Sequence, residues 1–173
     1  MKLSKTLLAI TCFITSQLLF GQQSKNPWEK WNYLVGEWVG EGNGQPGQGV
    51  GKFSFQTDLD SKILVRKSQT IFPATDKSAE TKHTDLLIIY PGSDVNAQEA
   101  IYFDNEGHTI KYNVTFSGNS IVLTSAVNQN MPGFRFSYSA IDDKTVKMSF
   151  EMASPQKPEE FKMYLEGKAG KVK

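Results

Sequence analysis

Apolar and polar residues alternate in five separate segments of the sequence, and this period of two constrains the fold more than any other feature. The clearest segments are 53–59, 110–116, 134–139, 146–152 and 161–166. One face of each extended segment is apolar and the other is polar, which is typical of antiparallel sheets with one solvated face. Alternating strand–helix units are not indicated, because their strands are apolar on both faces. We therefore predict an all-β protein.

Short polar turns separate the alternating segments. The turns at 59–62, 104–107, 117–119 and 142–144 contain the Asp, Asn, Ser and Gly residues expected of hairpins. Ten strands with one apolar face lose their exposed edges when they close, so we predict a closed antiparallel up-and-down barrel. Longer loops are expected at 73–82 and 127–133. The predicted strands lie near residues 37–43, 50–59, 62–72, 84–90, 98–104, 108–117, 120–127, 134–141, 145–153 and 160–168.

The start of the chain is interpreted as a signal peptide. Lys2 and Lys5 form a positively charged start, residues 7–20 are largely apolar, and a polar run begins at Gln22. The apolar stretch is short for a membrane span, which takes about 20 apolar residues. The predicted organisation is a signal peptide over 1–22 and one β-barrel domain over 23–173. The protein is expected to be secreted or periplasmic.

Charge and cysteine content narrow the function of the predicted mature chain. Two of the 19 basic residues lie in the signal peptide, so 17 basic residues stand against 18 acidic ones. A nucleic-acid binder would carry an excess of basic residues, which this chain lacks. Nucleic acid is therefore not expected as a partner. The single cysteine, Cys12, lies in the predicted signal peptide. The mature chain is therefore expected to lack disulfides, cysteine nucleophiles and cysteine metal sites.

A short tryptophan-bearing segment precedes the first predicted strand. Asn26 and Glu29 are typical of a helix start and Gly36 of a helix end, which predicts one amphipathic helix of about two turns. Trp28 and Trp31 share one face at helical spacing. The pair either forms a plug on the core or offers a platform to a ligand, and we favour the plug.

Glycine recurs just after this segment. Four glycines leave one face of the first strand nearly bare, which suits a strand that bends or passes close beneath another backbone. A phosphate-binding loop is not indicated, because Gly51-Lys52 is followed by Phe53 where that motif has Ser or Thr. The four glycines are Gly36, Gly40, Gly42 and Gly44.

Three stretches together resemble a known family. They are GEWVGEG at 36–42 after the tryptophan segment, LDSKILV at 59–65 and IYFDNEGH at 101–108. The chain is similar to calycin-like barrels of the nitrobindin type, and more closely similar to exported bacterial barrels of unknown function. Nitrobindin-like proteins bind heme through an axial histidine on the last strands, but residues 145–173 contain no histidine. Heme is therefore not expected, and no cofactor is predicted.

The titratable residues match no familiar catalytic or metal motif. The two histidines are His83 and His108, whereas a zinc or iron site generally has three or four protein ligands, so no metal site is predicted. His108 shares its strand face with Ile110 and Tyr112 and either points inward or lies at the rim in a hydrogen bond. No nucleophile motif is found, so we lean against an enzyme and keep an enzymatic or heme-binding barrel as an alternative.

Arginine is rare in this chain, since two of the 19 basic residues are arginines. A planar guanidinium suits a carboxylate, phosphate or aromatic partner. Arg66 shares its face with Leu64 and Phe72 and is predicted to point inward and to orient a ligand. The alternative is an internal ion pair or a place at the rim. Arg135 lies on the face opposite Phe136 and is predicted to be outside.

A barrel of this size has an interior suited to a small hydrophobic or amphipathic ligand, and we predict that function. The alternative is an envelope module whose barrel is filled and whose loops bind another protein. The free volume inside the barrel discriminates between the two. The candidate lining residues are Phe55, Arg66, His108, Ile110, Tyr112, Phe136, Tyr138, Phe150 and Met163.

Overall fold

A computed structural model describes residues 26–41, 50–94, 97–127 and 130–172, and within these ranges ten antiparallel strands form a closed barrel. Each strand pairs with the next one along the chain, and β1 pairs with β10 to close the barrel. The predicted all-β, up-and-down barrel is therefore confirmed. The strands are β1 (Gly36–Gly40), β2 (Val50–Asp58), β3 (Ile63–Phe72), β4 (Thr81–Pro91), β5 (Gln98–Asp104), β6 (Thr109–Ser117), β7 (Ser120–Thr124), β8 (Gly133–Ala140), β9 (Thr145–Ala153) and β10 (Lys162–Lys171).

The observed strand bounds differ from the predicted ones by up to three residues, for example at β4 and β7. β4 begins at Thr81 rather than at residue 84, because its pairing with β3 continues to the register pair Phe72–Thr81. β7 ends at Thr124 rather than at residue 127. The predicted signal peptide over 1–22 lies outside the described residues.

The N-terminal segment forms a single turn of 3₁₀-helix at Glu29–Trp31, shorter than the predicted two-turn helix. Its bonds reach three residues back, from Trp31 N to Trp28 O and from Leu34 N to Trp31 O, both at 2.8 Å. Such bonds wind the chain more tightly than an α-helix and rarely extend beyond three or four residues. Just before the turn, Asn26 Oδ1 accepts a hydrogen bond from Trp28 N at 3.0 Å, but the N-cap residue of the turn is Trp28, without a side-chain cap.

The two tryptophans of this segment are buried, with 1% and 0% of their surface exposed. Trp31 lies against Phe55 and Phe116, with ring centroids 5.8 and 6.2 Å apart. The Nε1 of Trp28 donates to Ser61 O at 2.8 Å, in the β2–β3 turn. The segment therefore packs on the core at the end of the barrel that carries this turn, as the plug interpretation predicts.

The glycine-rich start of the barrel leaves little room for a side chain at two positions, against backbone at Gly40 and against a side-chain hydroxyl at Gly51. A Cβ on Gly40 would lie 3.3 Å from Gly51 O, and a Cβ on Gly51 would lie 3.1 Å from Thr70 Oγ1. Gly36 has a φ of +120°, a conformation that side chains rarely adopt. The close approach predicted for this stretch is thus found at Gly40, whereas Gly42 and Gly44 lie outside the described residues.

Candidate functional site

The barrel holds a cavity of about 1100 Å³ that opens at the end opposite the tryptophan plug. Its mouth lies between the β5–β6 turn and the β7–β8 connection, where Glu106, His108 and Met131 line it. A volume of this size matches the pockets that take small ligands and cofactors. The walls differ in chemistry from one side of the barrel to the other.

One side of the cavity is an aromatic wall formed by Phe134, Phe136 and Phe150 on β8 and β9. The rings of Phe134 and Phe150 stack at 5.8 Å with 10° between their planes. Phe136 lies 6.2 Å from Phe150 and is tilted by 51°. Met148 on β9 extends the same apolar surface. This wall therefore offers ring faces and a flexible thioether to whatever enters the cavity.

The other side is a polar wall formed by Arg66, Ser68, Asp85, Tyr102 and Tyr112. These residues come from β3, β4, β5 and β6, four neighbouring strands. Ser68 and Asp85 are directly opposite each other in the β3–β4 register. Because alternate residues of a strand point to the same face, the inward side chains of adjacent strands meet here.

Arg66 and Asp85 form a buried ion pair at the centre of the polar wall. Nη1 of Arg66 donates to Asp85 Oδ1 at 2.8 Å, and 10% and 6% of the two side chains are exposed. The guanidinium also lies 5.5 Å from the Phe53 ring and 5.6 Å from the Phe136 ring. Burial disfavours the charge of Arg66, but the electrostatic contributions of Tyr138 and Asp85 outweigh it and raise the pKa of the guanidinium. The guanidinium therefore keeps its positive charge beside Asp85.

A hydrogen-bonded mouth network continues from the polar wall to the rim. His83 Nδ1 lies 3.0 Å from Glu106 Oε1, and His83 Nε2 lies 3.0 Å from the Tyr102 hydroxyl. Tyr102 donates to Asp104 Oδ2 at 3.3 Å. The same Asp104 oxygen lies 2.8 Å from His108 Nδ1. A set of hydrogen-bonded polar groups thus runs from Tyr102 on the polar wall to His108 and Glu106 at the rim.

The rim end of this network pairs the Asp104 carboxylate, whose side chain is 4% exposed, with the His108 imidazole. Burial would raise the pKa of Asp104, but hydrogen bonds from the His108 backbone, the His108 ring and the Glu106 backbone lower it. The hydrogen bond to Asp104 raises the pKa of His108, whose side chain is 61% exposed. His108 therefore lies at the rim of the cavity in a hydrogen bond, the second of its two predicted placements.

The structure brings most of the predicted lining residues together. Arg66 points inward as predicted and has the internal ion-pair partner that the sequence left open. Phe55 and Tyr138 are fully buried below the cavity, where their rings lie 5.3 Å apart. Six of the nine predicted residues line the cavity, namely Arg66, His108, Ile110, Tyr112, Phe136 and Phe150.

Met163 lies outside the cavity, unlike its predicted place in the lining. A β-bulge in β10 shifts the register, so that Met163 pairs with Glu151 while Leu165 pairs with Phe150. Tyr164 is the extra residue, and residues beyond a bulge exchange faces relative to those before it. Met163 is 53% exposed and lines an adjacent outer groove with Pro155. Leu165 lines the cavity, and Tyr164 lines both the cavity and the groove.

The partner of Arg66 and the mouth network are the functional features that sequence reasoning missed. Asp85 shares its strand face with Leu87 and Ile89, which are buried, so parity alone indicates an inward carboxylate. On β5, Tyr102 lies two residues after the buried Ala100, so parity indicates that its side chain also points inward. The second arginine, Arg135, is on the outer face as predicted, where it forms two hydrogen bonds with Glu151 at 2.7 and 2.8 Å.

No protein-family model matches the chain, and no curated protein matches it. The closed ten-strand antiparallel barrel is consistent with a calycin-like barrel. Within the described ranges, no group of three or more His, Cys, Asp or Glu side chains is arranged to hold a metal ion. None of the helices in the described residues is long and apolar enough to cross a membrane.

Proposed function

We propose that the barrel binds a small amphipathic molecule in its cavity. The observation that carries this proposal is the cavity itself, about 1100 Å³ in volume with an aromatic wall facing a polar wall. A barrel filled with its own side chains would favour a module that acts only through its loops. An open cavity with convergent polar groups favours ligand binding instead.

The two walls suggest how such a molecule lies in the barrel. Its apolar body packs against the aromatic wall, where each 100 Å² of apolar surface removed from water stabilises the complex by about 2.5 kcal/mol. Its polar group faces the Arg66–Asp85 pair, since a buried polar group without a partner would weaken binding. The mouth network leaves a hydrated entrance beside His108.

We also propose that the protein is exported, with a signal peptide over 1–22 and a barrel domain over 23–173. The support is the charged start, the apolar run and the polar junction of the sequence. The resemblance to nitrobindin-type barrels belongs to the same proposal, without the heme ligand. N-terminal sequencing of secreted or periplasmic protein should begin near Gln22 or Gln23, and an intact Met1 in the cell envelope would contradict export.

A pair of methionine variants tests ligand binding in the cavity. Met148→Trp places a large ring in the cavity, and Met163→Trp makes the same change on the outer groove. We expect the neutral fluorescent amphiphile N-phenyl-naphthylamine to bind the parent protein saturably. Met148→Trp should weaken this binding at least about tenfold, equivalent to about 1.4 kcal/mol.

Met163→Trp is the matched control and should bind the probe as the parent protein does. Melting curves of both variants establish that the barrel is intact. Equal loss of binding in the two variants, or no saturable binding to the parent protein, would contradict a ligand site inside the barrel.

A further inference from the structure

The charge balance of the polar wall limits the chemistry of a ligand. The positive charge of Arg66 is already compensated by Asp85 at 2.8 Å. A carboxylate entering the cavity would meet the Asp85 carboxylate as well as the guanidinium, and an ammonium group would meet Arg66. Leaving an extra buried charge uncompensated is costly. A neutral polar group avoids that cost.

The same pair still has hydrogen-bonding capacity on both partners. In the described residues, the one hydrogen bond of the Arg66 guanidinium runs from Nη1 to Asp85, which leaves the N–H groups of Nη2 to donate. Asp85 Oδ2 accepts no hydrogen bond from a described residue, and His83 Nε2 lies 3.7 Å from it. The wall thus offers one donor and one acceptor side by side.

The aromatic wall adds a requirement on the shape of the ligand. Phe134 and Phe150 stack with only 10° between their planes, and they face the cavity together with Phe136. Flat ring systems pack on such a surface in offset-stacked or edge-to-face arrangements, which contribute about 0.5–1.5 kcal/mol beyond burial of area. A planar body therefore uses this wall better than a flexible chain does.

Resting on the function proposed above, we infer that the cavity takes a planar aromatic or conjugated molecule whose polar group is neutral and both donates and accepts hydrogen bonds. A primary carboxamide or a lactam has this pattern. Its carbonyl oxygen accepts from Arg66 Nη2, and its N–H donates to Asp85 Oδ2. The ring system lies against Phe134, Phe136 and Phe150.

Three probes of nearly equal size separate this chemistry from its rivals. Naphthalene carboxamide donates and accepts, acetonaphthone accepts only, and naphthoate carries a negative charge. Displacement of N-phenyl-naphthylamine from the parent protein at neutral pH gives their relative affinities. The carboxamide should bind at least about tenfold more tightly than either of the others, the range for a hydrogen bond to a charged group.

An isosteric variant tests which side chain sets that order. Asp85→Asn removes the carboxylate that balances Arg66, so naphthoate should become the tightest of the three probes. Glu151→Gln makes the corresponding change in the outer Arg135–Glu151 pair and should leave the order unchanged. The order of the probes on the parent protein is measured independently of whether either variant folds.

The outcomes separate this inference from the function on which it rests. If all three probes bind the parent protein with equal affinity, or naphthoate binds best, the cavity is a ligand site and the neutral donor–acceptor requirement is wrong. A naphthoate affinity that does not rise in folded Asp85→Asn also overturns it. If none of the probes and no N-phenyl-naphthylamine binds, the proposed function itself fails.

Discussion

Arg66 is held by one carboxylate and two aromatic rings, and each partner constrains it in a different way. Asp85 compensates its charge. The central carbon of the guanidinium lies over the Phe53 and Phe136 rings, 5.5 and 5.6 Å from their centroids. Its Nε is buried without a hydrogen-bond partner in the described residues. A buried N–H group without a partner lowers the stability of the fold. Its presence in Arg66 is consistent with a role of this residue in ligand binding.

Removing Arg66 should reveal how strongly Asp85 depends on it. Arg66→Met leaves a buried carboxylate without its counter-ion, so the free energy of unfolding should fall by about 3 kcal/mol. Urea unfolding of Arg66→Met, and of the double variant Arg66→Met with Asp85→Leu, measures this loss and its recovery.

The double variant should recover most of the lost stability, since it removes both buried charges together. Arg135→Met, which breaks the ion pair on the outer face, is the control and should cost less than about 1 kcal/mol. Equal losses in Arg66→Met and Arg135→Met would show that burial of the inner pair has no special energetic weight.

One buried barrel side chain, Gln98, makes two hydrogen bonds to the segment that carries the 3₁₀ turn. Gln98, at the start of β5, accepts from Trp31 Nε1 at 2.7 Å and donates to Pro27 O at 2.7 Å. These two bonds satisfy polar groups at both ends of the plug. The element therefore depends on a side chain that lies far from it in the sequence.

Gln98→Ala should destabilise the protein without changing the barrel strands. It leaves the Trp31 indole N–H buried without a partner, which costs about 1–3 kcal/mol. Gln56→Ala, on the exposed face of β2, is the matched control and should change stability by no more than about 0.5 kcal/mol. Denaturant unfolding followed by tryptophan fluorescence measures both variants, and a loss in Gln98→Ala as small as that of the control would contradict this account of the plug.

The elements differ in how well their sequences predict them. Strands with an unbroken period of two, such as β6 and β9, lie within one residue of their predicted bounds because each residue's face follows from its parity. Parity fails at β10. Met163 and Leu165 would share a face in an unbroken strand, but the bulge at Tyr164 places them on opposite faces. A bulge depends on the pairing of two strands, so no pattern within one strand signals it.

At the scale of the whole molecule, the barrel has one closed end and one open end. The plug residues Trp28 and Trp31 fill the end that carries the β2–β3 turn. The opposite end stays open between Glu106, His108 and Met131. The cavity exists because only one end of the barrel is filled. Periodicity in the sequence shows which residues face inward, but neither it nor composition predicts how much space they leave between them.

The chain's own methionines provide the most direct test of a ligand site in the barrel. Met148 lines the cavity and not the outer groove, whereas Met163 lines the groove and not the cavity. In a titration of methyl-labelled protein with naphthalene carboxamide, ring currents of the ligand should shift the Met148 methyl resonance saturably and leave Met163 in place. A saturable shift at Met163 with none at Met148, or no shift at either methyl group, would contradict the account.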